Sequence, residues 1–152
     1  PKMSVADNLA LRMFDHSKGP WINRRQIAAH AVQRIAEFNV RTRSKDEPIC
    51  ALSGGNVQRA TLARELSGEV ALLIVANPCF GLDFSAVRAT RDRLLRARNA
   101  GVAVLLISED LDELFELSDR IAVMSEGRIV YETAIAEADV SRVGSYMSGQ
   151  AA

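Results

Sequence analysis

Two short runs without a polar side chain, Ala71 to Ala76 and Val102 to Ile107, constrain this chain more than any other feature. A strand buried on both faces reads as a continuous apolar run, and six residues are too few for a buried helix. Between the runs, Phe84 to Asn99 reads as a helix with Val87, Leu94 and Leu95 turned inward, and Gly101 supplies its stop. Strand, helix, strand implies a parallel pair joined by a right-handed crossover. Ligands of such sheets collect at the carboxyl ends of the strands. Here those ends are ANP, starting at Ala76, and SED, starting at Ser108.

The remaining elements follow from caps and periodicity. Ser4 with Asp7 three residues on resembles a capping box, opening a helix that carries Val5, Leu9 and Met13. Asn23 with Gln26 opens a second helix, along which Ile27, Ala31, Ile35 and Phe38 form one apolar stripe. HSKGPW between them reads as a loop, and NVRTRSKDEPIC after Phe38 as a charged surface connection. Ser53 caps a helix running to about Ser67, where Gly68 gives a left-handed stop. Ser108 caps a short helix through about Leu117, Arg120 to Met124 and Arg128 to Tyr131 pair as a hairpin about SEG, and a helix from Asp139 to Met147 follows.

At 152 residues and 48% hydrophobic, the chain has the make-up of one soluble globular domain or of a large piece of one. Residue 1 is Pro, so a piece of something longer is expected. Nineteen basic residues balance nineteen acidic ones, which leaves no long-range field to gather nucleic acid or anionic lipid. Cys50 and Cys79 lack metal or disulfide spacing, as do His16 and His30 for a metal, and a reducing cytosol fits best. The longest apolar run, Val70 to Ala76, is too short to cross a membrane, and no export leader is expected.

Chemistry concentrates in LSGGNVQR, residues 52 to 59. A Ser followed by two Gly at a helix start leaves backbone N–H groups unpaired and lets an anion approach closely. The bland alternative is an ordinary Ser cap on a flexible turn. The apolar run from Ala71, the GLD turn at Gly81, Leu82 and Asp83, and ISED at the end of the second strand follow in order.

In that order and spacing the residues resemble the ATPase domains of ABC transporters. LSGGNVQR is similar to their signature motif, LLIVANP lies where their Walker B strand and catalytic Glu lie, GLD matches their D-loop, and ISED occupies their switch-His position. SVADNLALRMF and the helix from Asn23 resemble the helical subdomain that precedes the signature. The resemblance implies an α/β fold, a partial P-loop NTPase (RecA-like) core with parallel strands. Residues 1–67 would be the helical subdomain ending in the signature helix, and residues 68–152 the C-terminal part of the core.

Against that pattern the catalytic positions are degenerate. Where the family has Asp-Glu to hold Mg and polarise water, this chain has Ala76 and Asn77. A methyl group cannot accept from a metal-bound water and an amide cannot take a proton; a general base alone is worth roughly 10²- to 10⁴-fold. Glu109 stands in place of the His that meets the γ-phosphate, an anion facing an anion. No GxxxxGK[ST] occurs in the 152 residues. The expectation is therefore no steady hydrolysis by this chain alone, with ATP and Mg bound mainly by a partner domain.

An intact signature beside degenerate catalytic positions resembles the second nucleotide-binding domain of tandem ATPases that drive simple-sugar and nucleoside importers. In that arrangement Ser53, Gly54 and Gly55 would donate to ATP held by the partner, with Asn56 and Gln58 nearby, and Asp83 would contact the partner across the D-loop interface. The implied partners are another such domain, in the first half of the same polypeptide, and transmembrane permease subunits, at the cytoplasmic face of the membrane. Rival readings are a soluble, non-transport ABC protein, an enzyme with restored sites, and a structural ABC-like domain in which SGG is only a cap. Asp83 has its own alternative, as a charge favourable to the helix after it. Cys79 and Phe80 are expected to pack, as is Trp21, whose other reading is a permease contact. Unpaired strand edges beside the two apolar runs would let the fragment self-associate.

Overall fold

Short polar side chains set most of the helix starts. The computed structural model describes residues 2–16 and 22–149, so Trp21 and most of the loop containing it lie outside the described residues. Ser4 caps α1 (Val5–Leu9): its Oγ accepts from the Asp7 N–H at 3.0 Å and donates to Asp7 Oδ2 at 2.8 Å. The α-helix is shorter than its sequence pattern, giving way to a 3-10 stretch over Leu11–His16. Asn23 caps α2 (Arg24–Glu37), its Oδ1 accepting from the N–H groups of Arg25 and Gln26. Then come α3 (Gly54–Glu65), β1 (Leu72–Ala76), α4 (Phe84–Asn99), β2 (Ala103–Ile107), α5 (Leu111–Leu117), β3 (Arg120–Ser125), β4 (Arg128–Ala134) and α6 (Val140–Met147).

The chain divides into two units, one of residues 1–73 with 78–104, the other of residues 74–77 with 105–152. In the first, α1 packs against α2 and α3. Val5, Leu9, Ala31 and Ala63 are fully buried there, and Ile27, Ala60 and Leu62 nearly so. The charged segment after Phe38 is more than a surface connection. Its backbone carbonyls at Lys45 and Glu47 accept from the N–H groups of Ala6 and Val5, the Ile49 N–H donates to the Met3 carbonyl, and Val40 is buried. These bonds satisfy amide donors at the open N-terminus of α1.

In the second unit, β3 and β4 pair antiparallel from Arg120↔Ala134 to Ser125↔Arg128, with an irregularity between Val123 and Met124. Glu126 and Gly127 turn the hairpin with φ of 49° and 76°, the twin positive values of a two-residue turn matched to strand twist. Ile121, Val123 and Val143 form its core, with Tyr131 and Tyr146 stacked at 4.5 Å between centroids. α5 is capped by Asp110, which accepts from Asp112 and Glu113, and not by Ser108, whose hydroxyl accepts from the Asp110 N–H.

β1 and β2 are neighbours. The Ala103 N–H donates to the Ala71 carbonyl at one end and the Asn77 N–H to the Ile107 carbonyl at the other, so the strands run parallel. Neither is buried on both faces. Leu73 is buried, but Leu72 and Ile74 on β1 and Leu105 and Ile107 on β2 are each more than half exposed. Within the described residues each strand has one neighbour, which leaves an unpaired edge on either side.

Candidate functional site

Ser53 sits at the N-cap of α3 with extended backbone, φ −65° and ψ 157°, yet its side chain makes no capping bond to the helix. Its Oγ accepts from Asn56 Nδ2 at 2.9 Å instead. Asn56 is held from two further directions, its Oδ1 accepting from the Arg41 N–H at 2.8 Å and from Arg59 Nη1 at 3.5 Å. The Ser53 carbonyl accepts from the N–H groups of Asn56 and Val57, both at 2.9 Å, but its side chain closes off no amide of α3, and positive partial charge is concentrated at the Gly54 and Gly55 end.

The two glycines face different surroundings. A Cβ placed on Gly54 would meet nothing within 4 Å. One on Gly55 would come to 3.3 Å from Ala86 Cβ and 3.9 Å from Leu82 Cδ2. Gly55 is small because α4 and the turn before it lie against it; nothing in the fold of this unit requires Gly54 to be small. Gln58, one turn along, is half-buried.

The GLD turn adjoins this helix. Gly81 has φ 70°, and the Leu82 N–H donates to the Cys79 carbonyl at 3.3 Å. Asp83 caps α4, its Oδ1 accepting from the Ala86 N–H at 2.9 Å and from Ser85 Oγ at 2.7 Å. Those bonds, the Ser85 hydroxyl first, hold its carboxyl below the ordinary aspartate range, with a smaller push from Arg59. Phe80 does not pack as its sequence context suggested: it is 88% exposed, and Phe84 on the other side of the turn is 84% exposed. Cys79 is half-buried.

The positions at the ends of β1 and β2 belong to the second unit. Ala76, Asn77 and Glu109 are all exposed. Asn77 has φ 45°, a left-handed conformation that asparagine tolerates better than most residues, and its N–H is tied to Ile107. Pro78, the next residue, is fully buried. Neither Ala76 nor Asn77 presents a carboxylate, and among the described residues no group of three or more His, Cys, Asp or Glu is placed to hold a metal. The end of β1 itself offers no carboxylate to a metal ion. The open approach at Gly54 and the amides beside it do fit a phosphoryl oxygen.

The chain is 40% identical over 152 residues to the glucose import ATP-binding protein of Haloferax volcanii, covering 97% of this chain and 28% of that one. It is 42% identical over 131 residues to the nucleoside import ATP-binding protein NupA of Lactococcus lactis, covering 84% and 26%. A dimeric structure of the ATP-binding cassette MJ0796 bound to ADP and Pi matches with a TM-score of 0.76 at 19% identity, over 89% of this chain and 58% of that one. An inward-facing ABC transporter of the metal-chelate type matches with a TM-score of 0.81 at 15% identity, over 98% and 60%. The chain belongs to the ABC ATPases.

Its fold is accordingly the α/β fold of an ABC ATPase domain. No family model matches the chain. It spans under a third of the length of the curated relatives it matches. Within this ABC ATPase chain, the structure brings Gly55 against Leu82 of the GLD turn and Ala86 of α4. Sequence reasoning passed over Arg59, the last residue of the signature segment. It reaches both the Asn39 carbonyl and Asn56, and its signal was only a charged residue two places after Val57 on a half-buried helix.

Proposed function

We propose that this chain is the C-terminal, catalytically degenerate ATP-binding domain of an ABC importer for simple sugars or nucleosides. It contributes the Ser53 to Asn56 helix start in trans to ATP held by another cassette. The observation that carries the reading is the state of Ser53 and Gly54: a serine at the helix start that does not cap the helix, beside a glycine whose open side the fold does not explain. Ser53, Gly54 and Gly55 would meet the phosphoryl oxygens, with Asn56 setting the serine's direction and Gln58 one turn behind.

Mg and ATP supply the charge and the reacting group, and this chain's own part is to bind and orient. Gly81, Leu82 and Asp83 would face the partner domain in the first half of the same polypeptide. The exposed Phe80 and Phe84 on either side of that turn are aromatic anchors of the kind that dominate interfaces. The assembly would sit at the cytoplasmic face of a membrane on permease subunits, and no helix among the described residues is long and apolar enough to cross it. The names of the relatives support sugar or nucleoside import.

Calorimetric titration of MgATP into this chain tests the degenerate site, with no saturable heat at micromolar affinity expected. Tight stoichiometric binding would mean a phosphate site in cis and would overturn the reading of Ala76, Asn77 and Glu109. In the assembled transporter, Ser53→Glu should abolish ATP-driven uptake, and unchanged uptake would reduce the SGG turn to a structural cap.

A further inference from the structure

Away from the signature turn, the first unit holds a cavity of about 180 Å³ between the C-terminal end of α2, the middle of α3 and α4. Its lining is unusually rich in cationic donors: Arg59, Arg93 and Arg96, against one acid, Asp92. Thr90 also lines it and is only 2% exposed, yet its hydroxyl has no hydrogen-bond partner in the described structure. Arg59 Nε is likewise buried without one. A buried hydroxyl or guanidinium N–H without an acceptor is left with an unpaid desolvation cost, so such donors mark a place where an acceptor belongs.

The charge arrangement points the same way. Thr90, Arg93 and Arg96 recur every three residues on α4 and so share a face, where like charges three apart repel. Arg93 donates to the Glu37 carbonyl and lies 4.2 Å over the Phe38 ring, contacts that fix the guanidinium. Burial, and after it the neighbouring Arg96, push the Arg93 pKa down, against a smaller opposing attraction from Glu37. No ion pair joins Asp92 to Arg59, Arg93 or Arg96.

We propose that Thr90, Arg59, Arg93 and Arg96 form a binding site for a small tetrahedral oxyanion, a phosphoryl group carried as inorganic phosphate or as a small phosphomonoester. The cavity is smaller than the roughly 300–1,000 Å³ of ordinary ligand pockets, which admits one such group and excludes a nucleotide. Guanidinium forks and a hydroxyl match its several oxygens better than they match a single acceptor. The site does not depend on the proposed function.

The test is a titration of the protein with potassium phosphate at constant ionic strength, balanced with chloride and followed by amide NMR. Saturable shifts are expected at Thr90 and Arg93. Arg96→Gln, an exposed change that leaves the fold alone, should weaken phosphate binding by about tenfold, and Thr90→Val should weaken it severalfold. Ser53→Glu should leave it unchanged, which separates this site from the one at α3. Saturation by glycerol 3-phosphate at the same residues would assign the ester class, and saturation by inorganic phosphate alone the free ion. Shifts that chloride reproduces, an affinity indifferent to Arg96→Gln in a folded protein, or loss of binding in Ser53→Glu would each overturn the proposal.

Discussion

Replacing Gly54 by alanine separates a glycine kept for the fold from one kept for a ligand. The added Cβ has nothing within 4 Å to clash with, and Gly54 is not at a positive φ. At the first position of α3 the change removes backbone freedom from the unfolded chain without straining the native one, a stabilisation of about 0.4–1 kcal/mol. For a chain of this size that is a rise in Tm of about 1–4 °C. The same methyl stands at the open side of the helix start, where the proposed phosphoryl group must come close. Thermal unfolding of the variant should therefore show a gain while ATP-driven uptake by the assembled importer falls by tenfold or more. Gly55→Ala is the internal comparison, since its Cβ would press on Ala86 at 3.3 Å and should not stabilise. A Gly54→Ala protein that is more stable and fully active would refute the reasoning, because the glycine would then serve neither fold nor ligand.

Removal of helix caps should distinguish Ser53 from Asp110: Asp110→Ala loses two bonds to α5 and should cost about 1 kcal/mol in denaturant unfolding, while Ser53→Ala, which breaks no bond to a helix amide, should cost clearly less. Asp83 should give an acid-side pH dependence. Its folded-state pKa is depressed, so the unfolded chain binds the extra proton, and its contribution is present above the ordinary aspartate range, about pH 4, and lost as pH falls through the lower folded value. Asp83→Asn should flatten that part of the stability profile, and an unaltered profile would count against the cap as its source. The exposed Ile74, Leu105 and Ile107 with their unpaired strand edges should make the isolated chain self-associate. Ile74→Lys with Leu105→Lys should lower the weight-average mass in sedimentation, and a wild-type chain that stays monomeric at high concentration would contradict this.

Helix starts were legible where a short polar side chain has one available geometry. Ser4, Asn23, Asp83 and Asp139 each bond an amide at the helix they open, and Phe84–Asn99 matches its sequence-derived bounds. Legibility failed at α5, where the expected cap is Ser108. Asp110, two residues on, nearer the first turn and charged, takes the place. It failed again for burial of the strands. A continuous apolar run states that both faces are meant to be covered, not that this stretch of chain does the covering, and Leu72, Ile74, Leu105 and Ile107 are exposed for that reason.

The candidate site divides along the same line. For Ala76 and Asn77 residue identity alone carries the expectation of no catalysis, because no conformation gives a methyl or an amide a carboxylate's charge. It did not reveal that Asn77 occupies a left-handed turn, which gives that position a conformational reason to be asparagine. For Ser53 the sequence offered a cap and an anion site as alternatives. The structure adds a hydrogen bond from Asn56, three residues on, to the serine hydroxyl, which diverts it from the helix. Arg59 was the least legible, since its meaning lies in Asn39 and Asn56 and in a cavity whose other cations come from α4, more than thirty residues along the chain. A side chain whose partners are that distant carries no periodic signal, and only the folded arrangement assigns it a task.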